Sequence, residues 1–312
     1  MTETHKVRSG AKDVFLYLLL IVTLYISAFN LIALLFQYVN FSFPDALDYY
    51  YFGITDTIRW SSSSLFVAFP IFLLVSWLIG KETVTIPEKR EIGVRRWLTY
   101  LTLFIAAVTI IVDLILLVFN FYSGELTTKF LLKLIIVLVI TAMIFGYYLW
   151  DLGQQKTDGK KNRNLAIATS ILVIISIAGG FFYTGSPAKQ RALRLDQDRI
   201  GNLQWIQNEI INYWQNKEQL PENLAALTNN ISGFTAPTDP ESKKPYEYRI
   251  LTKTSFELCG EFSEAGIPDN SQSRYYVEPG REQNWQHEKG RVCFERNIDP
   301  ELYPQVTKPV IR

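Results

Sequence analysis

Five long stretches of apolar residues, Val14–Val39, Ser61–Leu78, Trp97–Tyr122, Phe130–Trp150 and Leu165–Gly185, take up most of the first ~185 positions. Each is about as long as the hydrocarbon core of a bilayer requires of a helix, roughly 17–25 residues. Charged residues fall almost wholly in the connections between them. A soluble helix can be apolar all round, but five in succession at this length predict a membrane α-helical bundle. The first stretch is too long for the apolar region of a signal peptide and lacks an obvious small-residue cleavage site, so it is expected to be retained.

After Gly185-Ser186-Pro187 the pattern changes. Ser186-Pro187 has the form of an N-cap followed by proline at the first helical position. Ile200, Leu203, Ile206, Ile210 and Tyr213 then recur at helical spacing. Leu220–Leu227, with Pro221 near its start, predicts a second, short helix. Beyond it the period falls to two: Tyr246, Tyr248 and Ile250 alternate, and so do Phe256, Leu258, Gly260 and Phe262, which predicts a β-hairpin. A third strand around Arg291–Glu295 would carry Cys293 to within reach of Cys259. The expected organisation is a tail over 1–13, a four-helix bundle over 14–152, a basic loop over 153–164, a fifth span over 165–185 and a small extracytoplasmic α+β domain over 186–312.

Lys and Arg set the expected orientation. The tail holds Lys6, Arg8 and Lys12; the second loop holds Lys81, Lys89, Arg90, Arg95 and Arg96; the fourth holds Lys156, Lys160, Lys161 and Arg163. The first and third loops offer only Arg59 and Lys129. This asymmetry predicts a cytoplasmic N-terminus and an external C-terminal domain. Lys189, Arg191, Arg194 and Arg199, just after the fifth span, run against it. The two cysteines, Cys259 and Cys293, both fall in the predicted external part, where an oxidising compartment permits a disulfide; two separate buried thiols are the alternative.

The whole-chain averages, 48% hydrophobic with a formal charge of +1, conceal these unlike halves and give no support to nucleic-acid binding, which wants a basic face. Two ionisable residues lie inside the apolar runs, Asp113 and Lys133. Such residues are functional candidates because a charge is costly in hydrocarbon. Counting back from Tyr122 places Asp113 about 13 Å below the outer end of its span, and Lys133 begins about one turn into the next. Three readings stay open: an ion pair between them, a Lys133 that reaches the headgroups above a neutral Asp113 bonded to a hydroxyl such as Thr109, or a role in transport. The aromatic loop from Asn40 to Trp60 suits an interfacial helix, with an aromatic ligand cage as the alternative.

Two resemblances refine this picture. Ala11-Lys12-Asp13-Val14-Phe15-Leu16-Tyr17, Ile58-Arg59-Trp60, Arg95-Arg96-Trp97-Leu98-Thr99-Tyr100-Leu101-Thr102 and Gly124-Glu125-Leu126-Thr127 resemble an uncharacterised family of bacterial multi-spanning membrane proteins, a domain of unknown function, over about residues 11–152. The resemblance implies a bacterial envelope location, here the cytoplasmic membrane, and a four-helix bundle, with no activity attached. Asp198-Arg199, Leu203-Gln204-Trp205-Ile206-Gln207, Leu220-Pro221, Asp239-Pro240, Pro245-Tyr246-Glu247-Tyr248 and Phe256-Glu257-Leu258-Cys259 resemble the C-terminal domain of type II secretion pseudopilins. That family implies a membrane helix leading into a long helix packed on an antiparallel sheet. The fifth span departs from it: Asn164-Leu165-Ala166-Ile167-Ala168-Thr169 carries neither the prepilin cleavage site nor the glutamate at its fifth position. A pilin-like module held on a fixed anchor is therefore expected, rather than a polymerising subunit.

No cofactor or metal is expected. His5 and His287 are too few for the usual zinc sites, and a cysteine–His287 nucleophile lacks any surrounding protease motif. Asp239 could serve a calcium site, but a turn before Pro240 accounts for it more simply. The resulting expectation is a non-enzymatic envelope protein, lodged in the lipid bilayer, whose external domain meets a protein or a cell-surface polymer. The rival is a small transporter or ion-translocating protein centred on Asp113.

Overall fold

In the computed structural model, residues 10–44, 51–153, 159–266 and 285–304 are described. They divide into two compact units, residues 1–184 and 185–312.

The first unit is helical: α1 Ala11–Ser42, α2 Tyr51–Thr85, α3 Gly93–Ser123, α4 Thr128–Gly153 and α5 Gly159–Thr184, with a 3-10 turn at Pro87–Glu91 before α3. Five helices are long and apolar enough to cross a membrane, which fits a multi-pass membrane protein. Several hydroxyls inside them are satisfied locally: Thr23 donates to the Leu19 carbonyl at 2.7 Å, Ser27 to Thr23 at 2.7 Å and Thr102 to Leu98 at 2.9 Å. Such back-bonding lets a hydroxyl sit in an apolar bundle without a partner helix. Gly124, at φ 71°, ends α3 in the left-handed conformation that favours glycine.

α1 and α4 contribute to both of two apolar clusters. Leu31 and Leu34 pack with Ile54, Ile58 and Leu65 of α2, Ile140 of α4 and Val173 of α5. Tyr17 and Ile21 pack with Leu98 of α3 and Tyr148 of α4. α5 approaches through glycine: a Cβ on Gly180 would lie 3.1 Å from Ser62 Oγ and 3.2 Å from Ile58 Cγ2. There the Tyr38 hydroxyl donates to the Ser176 carbonyl, and the Tyr38 and Tyr183 rings stack at 4.9 Å. Small residues and a tyrosine bond are the usual means of bringing helices together in lipid, where burial alone supplies little.

The second unit sets α6, Pro187–Lys217, against a three-stranded antiparallel sheet of order β1-β2-β3: β1 Glu247–Ile250, β2 Ser255–Phe262 and β3 Gly290–Asn297. Ser186 caps α6 by accepting from the Lys189 amide at 3.3 Å, and Pro187 takes the first turn. Ile200, Leu203, Ile206, Ile210 and Trp214 form the buried stripe against Phe256, Leu258, Phe262 and Phe294. Burying these side chains is worth roughly 1.5–3 kcal/mol each and holds the unit together. In register, Leu258 opposes both Tyr248 and Phe294, and Cys259 opposes Cys293.

Three expectations change. α2 begins at Tyr51, so residues 51–60 open the same helix as Ser61–Leu78 rather than forming a separate one; residues 45–50 of that segment lie outside the described residues. The polar turn extends the helix because its groups pair internally: Arg59 with Asp56, and Thr57 with the Gly53 carbonyl at 2.8 Å. α5 begins at Gly159, within the basic loop, rather than at Leu165. Instead of a helix over Leu220–Leu227 there is one 3-10 turn, Leu224–Leu227. The Asn223 carboxamide accepts from the Ala226 amide and starts the helix too late for a second turn before Asn229 pairs with Phe234.

Candidate functional site

Polar chemistry in the α+β unit concentrates on Arg199, which is only 4% exposed. The i, i+3 spacing on α6 puts Asp196 beside it, and Nη1 donates to Asp196 Oδ1 at 2.6 Å and to Ser263 Oγ at 3.0 Å. Nε donates to Asp239 Oδ2 at 2.6 Å, and Nη2 to Glu241 Oε2 at 3.0 Å. Asp196 also accepts from the Ser263 and Glu264 amides, both at 2.9 Å, which ties α6 to the end of β2. Asp239 accepts from the Ser242 and Glu241 amides at 2.6 and 3.0 Å and so forms the turn before Pro240. Burial pushes the Asp239 carboxyl up, but the guanidinium and these amides outweigh it and bring it down to about 2. Both oxygens of Asp196 and of Asp239 accept from these donors, so the site clamps three segments together. Among the residues whose sequence resembles pseudopilins, Asp239 belongs to this centre, Leu220, Pro221 and Tyr246 are buried, and the Asn202 amide donates to the Tyr246 hydroxyl at 3.1 Å. The Tyr248 hydroxyl is buried with no hydrogen-bond partner among the described residues.

The opposite face of the sheet carries Glu247, Glu257, Glu261, Arg291 and Glu295, with the cysteines among them. The Cys259 and Cys293 Sγ atoms lie at disulfide distance, 2.09 Å. Glu257 brings a carboxylate within 4.8 Å of both sulfurs, but sulfurs joined to each other offer no thiolate to a metal. His287 stacks on Phe262 with centroids 3.8 Å apart, and burial holds its imidazole below the usual range. A cysteine–histidine nucleophile is thus not assembled.

In the helical unit, Asp113 lies on the inward face of α3 with Thr102 and Ala106, 7% exposed, and its Oδ2 has no hydrogen-bond partner among the described residues. The structure does not join it to Lys133, whose ammonium stands 5.6 Å from the Phe36 ring centroid of α1. Nor does Thr109 serve it, since that hydroxyl donates to the Ile105 carbonyl at 2.8 Å.

Sequence reasoning counted Lys89 only as a basic loop residue. It lies in a small pocket with Asp13, Tyr17, Ile79, Glu82 and Thr83, where its ammonium reaches Asp13 at 2.8 Å and Glu82 at 3.1 Å. Hydrogen bonds to the two carboxylates hold its pKa above the ordinary lysine range. Lys12 also pairs with Glu82, so the group fastens the start of α1 to the end of α2. Reading Asp13 and Glu82 as charges at helix ends facing a basic loop was the available signal.

One surface feature is apolar. Asn229 Oδ1 accepts from the Ile231 and Ser232 amides, Gly233 turns at φ 71°, and Phe234 anchors the far side in the core. This fixed loop leaves Ile231 98% exposed. Trp205, itself exposed on α6, meets Phe234 edge-to-face at 5.4 Å.

No curated protein and no solved structure matches this chain. Residues 13–148, from α1 into α4, match the family model of a domain of unknown function, DUF5671.

Proposed function

We propose that this is a bacterial cytoplasmic-membrane protein that uses its helical bundle as a fixed anchor and displays the α+β unit outside as a pilin-like module for binding a partner protein. The observation that carries the binding role is Ile231, an apolar side chain held wholly in solvent by a hydrogen-bonded loop. Trp205 stands by the same loop through Phe234, and rigid tryptophans are frequent anchors of interfaces. The basic loops and the cysteine pair support the external placement. The Arg199 network supports a rigid module, since its charges are consumed internally. The long helix on an antiparallel sheet supports the likeness to pseudopilins.

Affinity purification from gently solubilised membranes tests this reading. One protein should co-purify with the wild type and be lost with Ile231→Asp and with Trp205→Ala. Equal recovery with all three proteins, or purification of the wild type alone, would contradict it.

The second reading, an ion-translocating protein, is favoured by one observation: the unpartnered Asp113 carboxyl inside the bundle. Proton or cation flux in liposomes that disappears with Asp113→Asn would support it over the first.

A further inference from the structure

We propose that the Cys259–Cys293 disulfide is a thiol–disulfide exchange site that oxidises a dithiol, with Cys293 as the sulfur attacked and Cys259 as the leaving group. The two sulfurs are chemically unequal. Cys259 is 2% exposed, whereas Cys293 is only half-buried on the solvent face of the sheet. Arg291 Nη2 points at Cys259 Sγ from 3.5 Å. The guanidinium is held there by Glu247, which it meets at 3.2 Å through Nε and at 2.7 Å through Nη2. Cys259 and Arg291 stand on neighbouring strands: Arg291 opposes Glu261, two positions beyond Cys259, and so shares its face.

An incoming thiolate meets the accessible sulfur first. It attacks Cys293 Sγ, the S–S bond breaks, and the electron pair leaves on Cys259 Sγ, where the guanidinium stabilises the new thiolate. A leaving thiol of lower pKa leaves faster, and a neighbouring cation lowers a thiol's pKa. The second thiolate of the dithiol then attacks its own sulfur in the mixed disulfide and releases the Cys293 thiolate. The dithiol loses two electrons and two protons and becomes a disulfide; the cysteine pair gains both.

The test uses the full-length protein in detergent and 2-mercaptoethanol, a neutral thiol whose approach does not depend on the charge of the face. Reaction is stopped by acid at early times, free thiols are alkylated, and peptides are mapped by mass. The mercaptoethanol adduct is expected on Cys293 with the alkyl group on Cys259. Arg291→Met should slow adduct formation about threefold, since a leaving thiol of higher pKa leaves more slowly. Arg291→Lys, which keeps the cation, should recover part of the rate, and Arg249→Met should leave it unchanged. Adduct on Cys259, an even division between the sulfurs, or equal rates for Arg291→Met and the wild type would overturn the proposal.

Discussion

Arg199 Nε and Asp239 Oδ2 meet at 2.6 Å across a sequence separation of 40 residues, in the interior of the α+β unit. Removing the guanidinium leaves Asp196 and Asp239 buried without their counter-charge. Breaking one partner of a buried pair typically costs about 3–5 kcal/mol. Arg199→Ala should therefore lower the unfolding free energy of this unit by that order in denaturant titration followed by tryptophan fluorescence. A change below about 1 kcal/mol would place the stabilisation elsewhere.

Asp239 also gives the unit an acid limit. Its carboxyl sits at about 2 in the folded state, below the ordinary aspartate value of ~3.9. The unfolded chain thus binds the proton more readily, so the contribution is fully present above about pH 4 and is lost as pH falls toward 2. Stability measured between pH 5 and 2 should decline in the wild type, and decline less steeply in Asp239→Asn. Parallel curves would remove Asp239 as a source of the acid sensitivity.

Five apolar runs and two changes of period were enough to lay out the helices, the hairpin and the strand that brings Cys293 opposite Cys259. Helix ends were less legible, because Asp56 and Arg59 read as loop charges until their i, i+3 pairing on α2 is seen. The Arg199 centre was hidden for a different reason. Its partners Asp239 and Glu241 are distant in the chain, and an arginine in the basic cluster after a span reads as a topology signal. Asp113 was visible as an intramembrane carboxyl, but its lack of a partner depends on side-chain directions that spacing does not fix.

Gly180 carries the docking of α5 in this account. Gly180→Leu would drive a side chain into Ser62 and Ile58, and overpacking of this kind costs about 1–3 kcal/mol. A Cβ on Gly146 of α4 would meet nothing within 4 Å, so Gly146→Leu serves as the comparison. Thermal unfolding in detergent should fall for Gly180→Leu and stay near the wild type for Gly146→Leu. Equal effects would mean that helix propensity, not the close approach, governs the change.

Asp113 should behave as a burden on stability. Its buried Oδ2 lacks a partner, and a buried unsatisfied group costs about 1–3 kcal/mol. Asp113→Leu is expected to raise the unfolding temperature in detergent, and Asp113→Asn to change it little. Combined with Lys133→Ala, the effects should add, since the two residues are not joined. A non-additive cycle, or a destabilised Asp113→Leu, would point to a partner for the carboxyl.

External display of the α+β unit is the central claim, and reporter fusion tests it most directly. A phosphatase that is active only outside the cytoplasm should be active when fused after Arg312 and inactive when inserted between Lys156 and Arg163. The reverse pattern would contradict the account and leave Ile231, Trp205 and the cysteine pair facing the cytoplasm.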